Sequence, residues 1–190
     1  MLKNVIAEKL FLMNETKGRL YDTSDEKCPR IQAKDIVVAP NKRYLWLMNF
    51  IRVTKECERA GAYYVRIQAM MRKHQIPLDA EVDEKDGADC HYILALDDIY
   101  PVATCRWFGV NDESAEVGRV VVLPEYRGQH LGQAVVAEAE KWMREQGFKK
   151  AVISSRVGLE GFYEKMGYRF NENGKAHHHT FQCVYMEKEL

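Results

Sequence analysis

One stretch of this chain carries residue types at a spacing that could do chemistry. It runs from a β-branched segment, Val117 to Val122, through Leu123-Pro124-Glu125-Tyr126 into Arg127-Gly128-Gln129-His130-Leu131-Gly132-Gln133. Pro124 has no N–H to give to a sheet ladder, so a strand over 117–122 must stop there. Beyond the glycines, Leu131, Ala134, Val135, Ala139, Trp142 and Met143 recur at three- and four-residue steps, which predicts a helix to about Glu145. Gly147 stands where a left-handed residue ends a helix. Strand, glycine turn and helix start together leave backbone N–H groups without partners at the positive end of a helix dipole. That is a place for phosphate. Two familiar phosphate sites fail on spacing. A dinucleotide fingerprint needs G-x-G-x-x-G at the first strand-to-helix turn with an acid roughly 20 positions on. Only Gly128 and Gly132 are present, and their strand comes late. A P-loop needs Lys-Ser or Lys-Thr after its last glycine, where this chain has Gln133-Ala134.

The elements that must position this turn can be read on either side of it. Residues 44–54 are aromatic and branched enough for a buried strand, and the main domain is placed at 45–190 with residues 1–44 as an extension. Within the extension, Asn4–Met13 reads as a short amphipathic helix and Asp35–Ala39 as a short strand. Over 55–73, Cys57, Ala60, Tyr64, Ile67, Met70 and Met71 form a helical stripe. Residues 75–89 read as an acidic loop, with Glu81 and Asp83 as solvated charges or, less simply, the lining of an amine site. Arg106 and Arg119 read as ion-paired or solvated strand residues. His91–Leu96 and Tyr100–Phe108 make a hairpin around Asp97-Asp98. Lys150–Ser155 is a strand parallel to 117–122 by the right-handed crossover rule. A short helix over 159–166 faces Leu159, Phe162 and Met166 inward and ends at Gly167, and 168–170 pairs with 180–186. The result is an α/β (α+β) fold: a mixed, mostly antiparallel sheet with helices on both faces.

Composition removes several classes. Lys plus Arg equals Asp plus Glu at 28 each, so overall charge does not favour nucleic acid or an anionic membrane. Five cysteines, an odd number without a C-x-x-C pair, argue against a zinc site or a disulfide framework and for a reducing cytoplasm. No apolar run is long enough for a membrane span or a secretory leader. His177-His178-His179 could bind a stray metal, but His178 reads more simply as a hydrogen-bonded strand residue.

The turn resembles the acyl-CoA site of the GCN5-related N-acetyltransferases, whose signature is Q/R-x-x-G-x-G/A after a strand and a proline-bearing turn. Arg127 and Gly132 match its ends, and His130 replaces a glycine, where a negative φ is expected. Downstream, Gly161-Phe162-Tyr163-Glu164-Lys165-Met166-Gly167-Tyr168 is similar to the family's F-Y-E-K-x-G-F/Y segment. Residues 66–86 with the late His178 further resemble the small ElaA-like branch. Together the likeness spans roughly 50–190 and implies the acyl-CoA N-acyltransferase fold, with acetyl-CoA as co-substrate, no metal, and a small-molecule or peptide amine as acceptor.

Site roles follow from the resemblance, residue by residue. The pyrophosphate of acetyl-CoA would lie on the amides of Gly128, Gln129, His130, Leu131, Gly132 and Gln133, with Arg127 beside them. Pantetheine would pair with the backbone of Val120, Val121 and Val122, and the Val120 N–H would face the thioester carbonyl. Tyr163 would be the general acid and Glu116 a base, with packing residue and exposed strand acid as their plainer readings. Arg156 stands seven before Tyr163, where relatives touch CoA. An amine would attack directly, without an acyl-enzyme. The competing class is a non-catalytic CoA-binding or sensory module on the same fold. The acceptor stays open, and the extension is read as covering one end of the sheet or joining a homodimer interface.

Overall fold

The computed structural model describes residues 48–87, 89–174 and 181–190. The readings made on residues 1–47 and on His177–His179 lie outside them. Seven strands form one sheet in the order β1-β2-β3-β4-β5-β7-β6. They are β1 (Asn49–Arg52), β2 (His91–Asp97), β3 (Tyr100–Gly109), β4 (Ser114–Val122), β5 (Lys150–Arg156), β6 (Arg169–Phe170) and β7 (Cys183–Glu189). Every neighbouring pair is antiparallel except β4 and β5. That exception follows from the crossover helix α3 (Leu131–Glu145), which returns the chain over one face. The expected mixed sheet with helices on both faces is what forms. β1 is an edge strand and only partly covered, not the buried strand its aromatic content suggested.

Alternation along the strands feeds two cores. On one face Ile93, Ala95, Trp107 and Val117 pack under α3 through Leu131, Val135, Val136, Ala139 and Met143. The short helix α4 (Glu160–Glu164) joins the same core through Tyr163; Leu159, expected inside, is half exposed. On the other face Tyr92, Leu94, Val121 and Leu123 pack with Ala62, Val65 and Ala69. These last three come from α1 (Glu56–Arg66) and its continuation through a π-helical turn (Ile67–Met71) and a final turn, Arg72–His74. The stripe expected on this helix is therefore rotated: Cys57, Ala60 and Tyr64 face outward. The reason is Arg66, a fully buried charge that a hydrophobic pattern assigns to the surface.

Arg66 also explains why the acidic segment 75–89 is not a solvated loop. It contains the short helix α2 (Leu78–Glu81) and a 3-10 turn, Glu84–Asp86, and it buries Glu81 and Asp86. Arg66 Nε donates to Glu81 Oε1 at 2.9 Å, Nη1 to Asp86 Oδ1 at 2.7 Å and Nη2 to the Glu81 carbonyl. Tyr92 donates its hydroxyl to Asp86 as well. Burial alone would raise the Asp86 carboxyl, but the Arg66 hydrogen bond and charge, with Tyr92 and Arg106, hold it well below the usual carboxylate range. The acids supply the charge that makes burial of the arginine tolerable.

The entry to α3 departs from expectation at one residue. His130 takes a left-handed backbone, φ 61, rather than the negative φ expected there. Gly128 is left-handed too, at φ 77, so the chain uses two such residues to turn from the 3-10 turn Pro124–Tyr126 into the helix. An L-residue there costs roughly 1–2 kcal/mol against a glycine. His130→Gly should therefore raise stability by up to about 1 kcal/mol in urea unfolding. The ion network gives a second expectation. Asp86→Asn should cost about 3–5 kcal/mol at neutral pH by leaving Arg66 under-paired. Because the folded Asp86 pKa is depressed, its stabilisation is present above the unfolded value near 3.9 and lost as pH falls below it. Urea midpoints measured from pH 7 to 3 should fall in the native protein below about pH 4 and fall less in the variant.

Candidate functional site

The parallel ladder between β4 and β5 is short. It joins Ser114–Val117 to Lys150–Ile153 and then ends. β4 goes on beside β3, with Val121 opposite Thr104 and Val122 opposite Ala103. β5 goes on beside β7, with Ser154, Ser155 and Arg156 opposite Tyr185, Val184 and Cys183. No ladder joins Val120–Val122 to Ser154–Arg156, so the two extended backbones diverge and leave a gap between them. A β-bulge accompanies the divergence. Two steps on β3, Thr104 to Arg106, answer three on β4, Val121 to Gly118, and Arg119 has φ 49. The extra residue inverts the alternation. Val117, Val120 and Val122 all lie with the α3 core, while Val121 lies with the α1 core.

The turn after β4 is tied down at several points. Tyr126 donates to Asp97 Oδ2 at 2.9 Å; burial and this carboxylate push its phenol up to about 12. Arg127 Nε donates to the Val122 carbonyl at 3.2 Å, and His130 Nδ1 meets Gln133 Oε1 at 2.8 Å. The first backbone bond of α3 runs from Ala134 N to His130 O, and the amides before Ala134 are the ones a helix start leaves open. Gly128, Arg127 and His130 are exposed there, while Leu131 and Gly132 are buried. Gly132 lets the Phe162 ring lie close: a Cβ on it would come within 3.2 Å of Phe162 Cζ. That close approach sets α4, and with it Tyr163, against the glycine turn.

Tyr163 is 8% exposed and packs edge-on with Phe162 and Tyr168. Burial first, then the nearby Cys105 and Cys183, push its phenol well above the ordinary value. It therefore holds its proton at neutral pH. Glu116 is also buried, not the exposed strand acid of its plainer reading, and accepts a 3.3 Å hydrogen bond from Ser154 Oγ. Cys183 lies within electrostatic reach of both Tyr163 and Glu116. Arg156 is exposed and sits 4.2 Å over the ring of Phe181, whose other neighbour is His74 at 5.3 Å. Burial, then the charges of Arg156, Lys73 and Arg127, lower the His74 pKa. The mouth of the gap is thus cationic in a chain of zero net charge.

The structure brings Val120–Val122, the 127–133 turn, Arg156 and Tyr163 around the end of one strand pair. Sequence reading missed Lys73, His74 and Phe181 at its rim; the Arg72-Lys73-His74 run was the signal available. It also took Asp83 for a solvated charge. The Asp83 side chain is 8% exposed and pairs with Arg106 at 2.6 Å and Arg119 at 2.7 Å. Arg106 and Arg119 are ion-paired, as one reading of them had it. Among the described residues, no group of three or more His, Cys, Asp and Glu is arranged for a metal.

Diverging parallel strands, a bulge before the gap and an open helix start fit a CoA ester, with the pantetheine amides along one strand edge and the pyrophosphate at the turn. Comparison with known proteins agrees. A profile of the Acetyltransferase (GNAT) family matches residues 54–168. A Bacillus subtilis (strain 168) protein named for an acetyltransferase is 32% identical over 124 residues, 64% of this chain and 84% of its own. The solved structure of a Lactobacillus plantarum protein named for an N-acetyltransferase is 30% identical, with TM-score 0.68, covering 75% of this chain and 98% of its own. Escherichia coli ElaA shares the fold at 18% identity and TM-score 0.64, over 74% of this chain and 99% of its own. A cleft built this way, in a chain that matches in this way, has one family to belong to: this protein is a member of the GNAT acetyltransferases.

Proposed function

We propose that this acetyltransferase moves the acetyl group of acetyl-CoA to a primary amine by direct attack, with Tyr163 as general acid. The observation that carries the reading is a buried phenol, kept protonated, on a helix that Gly132 and Phe162 hold against the glycine turn. The amide of Val120 hydrogen-bonds the thioester carbonyl, and the amides of Gly128 to Gln133 hold the pyrophosphate. Arg127 and Arg156 add positive charge at the mouth, which draws in an anionic co-substrate. The amine nitrogen forms a bond to the carbonyl carbon and the carbon–sulfur bond breaks. Tyr163 gives its proton to the departing sulfur. Glu116 takes the proton the amine loses, directly or through water, and releases it to solvent, from which the phenolate is reprotonated; its burial beside Ser154 Oγ, on the strand that leads to Val120, supports the assignment. Cys57, Cys90 and Cys105 form no disulfide among the described residues, which supports a reducing, cytoplasmic setting. The domain starts near residue 45, before β1, with residues 1–44 as an extension ahead of it.

Thiol release from acetyl-CoA, measured against a panel of primary amines, should show turnover with at least one of them. Micromolar CoA binding with no transfer to any amine would make the protein a CoA-binding module instead. Tyr163→Phe should lower kcat by about 100-fold or more while acetyl-CoA affinity stays within about threefold. Unchanged turnover in that variant would remove Tyr163 from the mechanism.

A further inference from the structure

Among the described residues, Arg119 is the only strand residue that is not glycine and has a positive φ. It forms the bulge immediately before Val120. A left-handed L-residue persists only where its surroundings hold it. Here the hold comes from segment 78–86. Arg119 Nη2 donates to Asp83 Oδ2 at 2.7 Å and to the Ala80 carbonyl at 3.0 Å. The other oxygen of the same carboxylate accepts from Arg106 Nη1 at 2.6 Å. Arg106 sits on β3 directly opposite Gly118, the residue on the near side of the bulge. One carboxylate therefore clamps both strands across the irregularity.

Asp83 is itself fixed. It caps the 3-10 turn by accepting from Lys85 N at 3.1 Å, and its own N–H donates to Asp86 Oδ2 at 2.9 Å. Asp86 is held in turn by Arg66, Arg106 and Tyr92. Only 8% of the Asp83 side chain and 5% of that of Arg106 is exposed, so solvent competes weakly with these bonds. A simple stabilising ion pair would not have to be placed at the bulge. This one ends on the residue whose backbone sets the direction of the next amide.

We propose that the Arg106–Asp83–Arg119 bracket fixes the direction of the Val120 N–H, making Arg119 and Asp83 positioning residues for acetyl transfer. This rests on the assignment of Val120 as the donor to the thioester carbonyl. The side-chain anchor, rather than the φ value alone, keeps the amide turned into the gap. Without it the bulge relaxes or slides along β4, and CoA still binds through the glycine turn.

The test uses [1-13C]acetyl-CoA and the infrared band of its carbonyl, which moves to lower frequency when the oxygen accepts a hydrogen bond, so no acceptor amine is needed. Bound to the native protein, the band should be shifted down from its free position. In Arg119→Ala and in Arg119→Gly it should return more than halfway to the free position. CoA affinity by calorimetry should stay within about threefold, because the pyrophosphate contacts are separate. The glycine variant accepts a positive φ without strain, so its loss of shift identifies the anchor as the cause. Asp83→Asn, which keeps shape but loses charge, should give an intermediate band, and it decides the matter if the Arg119 variants do not fold. A native-like band in folded, CoA-binding Arg119→Gly, or in Asp83→Asn where that variant decides, would overturn the bracket and leave the Val120 assignment standing. An unshifted band in the native protein would overturn the Val120 assignment, and the bracket's role with it.

Discussion

Strand β4 keeps its partner on one side and loses it on the other, and the rest of the molecule follows from that. After Val117 and Ile153 the parallel ladder stops, while each strand stays fixed by its outer neighbour, β3 for one and β7 for the other. Backbone N–H and C=O groups at the gap then need partners from outside the sheet. A pantetheine arm has amides at a spacing that can supply them. The open helix start of α3 lies at the end of the same strand, so one divergence aligns a slot between strand edges with the N–H groups of a helix start.

Keeping two strands apart requires that both be held rigidly from behind. On the α3 face the hold is apolar: Leu131, Val135, Val136 and Met143 seat the helix, and Gly132 admits the ring of Phe162. On the α1 face it is ionic. Arg66, Arg106 and Arg119 share Glu81, Asp83 and Asp86 in a largely buried cluster that fastens segment 78–86 to β2, β3 and β4. Such a cluster offers little net stability compared with apolar packing, since desolvation offsets much of the attraction. What it offers is geometry. Paired guanidinium and carboxylate groups fix direction and register in a way that methyl groups do not.

Charge is distributed to match. Glu81, Asp83 and Asp86 are paired with Arg66, Arg106 and Arg119, whereas Lys73, Arg127 and Arg156 surround the mouth of the gap with no carboxylate bonded to them among the described residues. A neutral chain thereby presents a positive entrance to an anionic co-substrate. Tyr163 sits deeper, where low polarity holds the phenol in its protonated form; because a thiolate is the weaker base, a proton would pass to it only where position favours the transfer.

Most element boundaries, and the family, were legible in the sequence. Pro124, Gly128, Gly147 and Gly167 mark their boundaries through backbone rules that act locally, and the motif around Arg127 to Gly132 together with Phe162-Tyr163 named the fold. It could not show which charges were buried. A hydrophobic pattern assigns Arg66, Glu81, Asp83 and Asp86 to solvent, so it turned α1 to the wrong face and read 75–89 as a loop. Nor could it show the bulge. Register depends on which residue of β3 faces which residue of β4, and one extra residue at Arg119 moves every later side chain to the opposite face. The glycine half of the cleft was legible because a turn is local. The strand half, with the parting of β4 from β5 and the bracket at Arg119, was decided only when distant segments met.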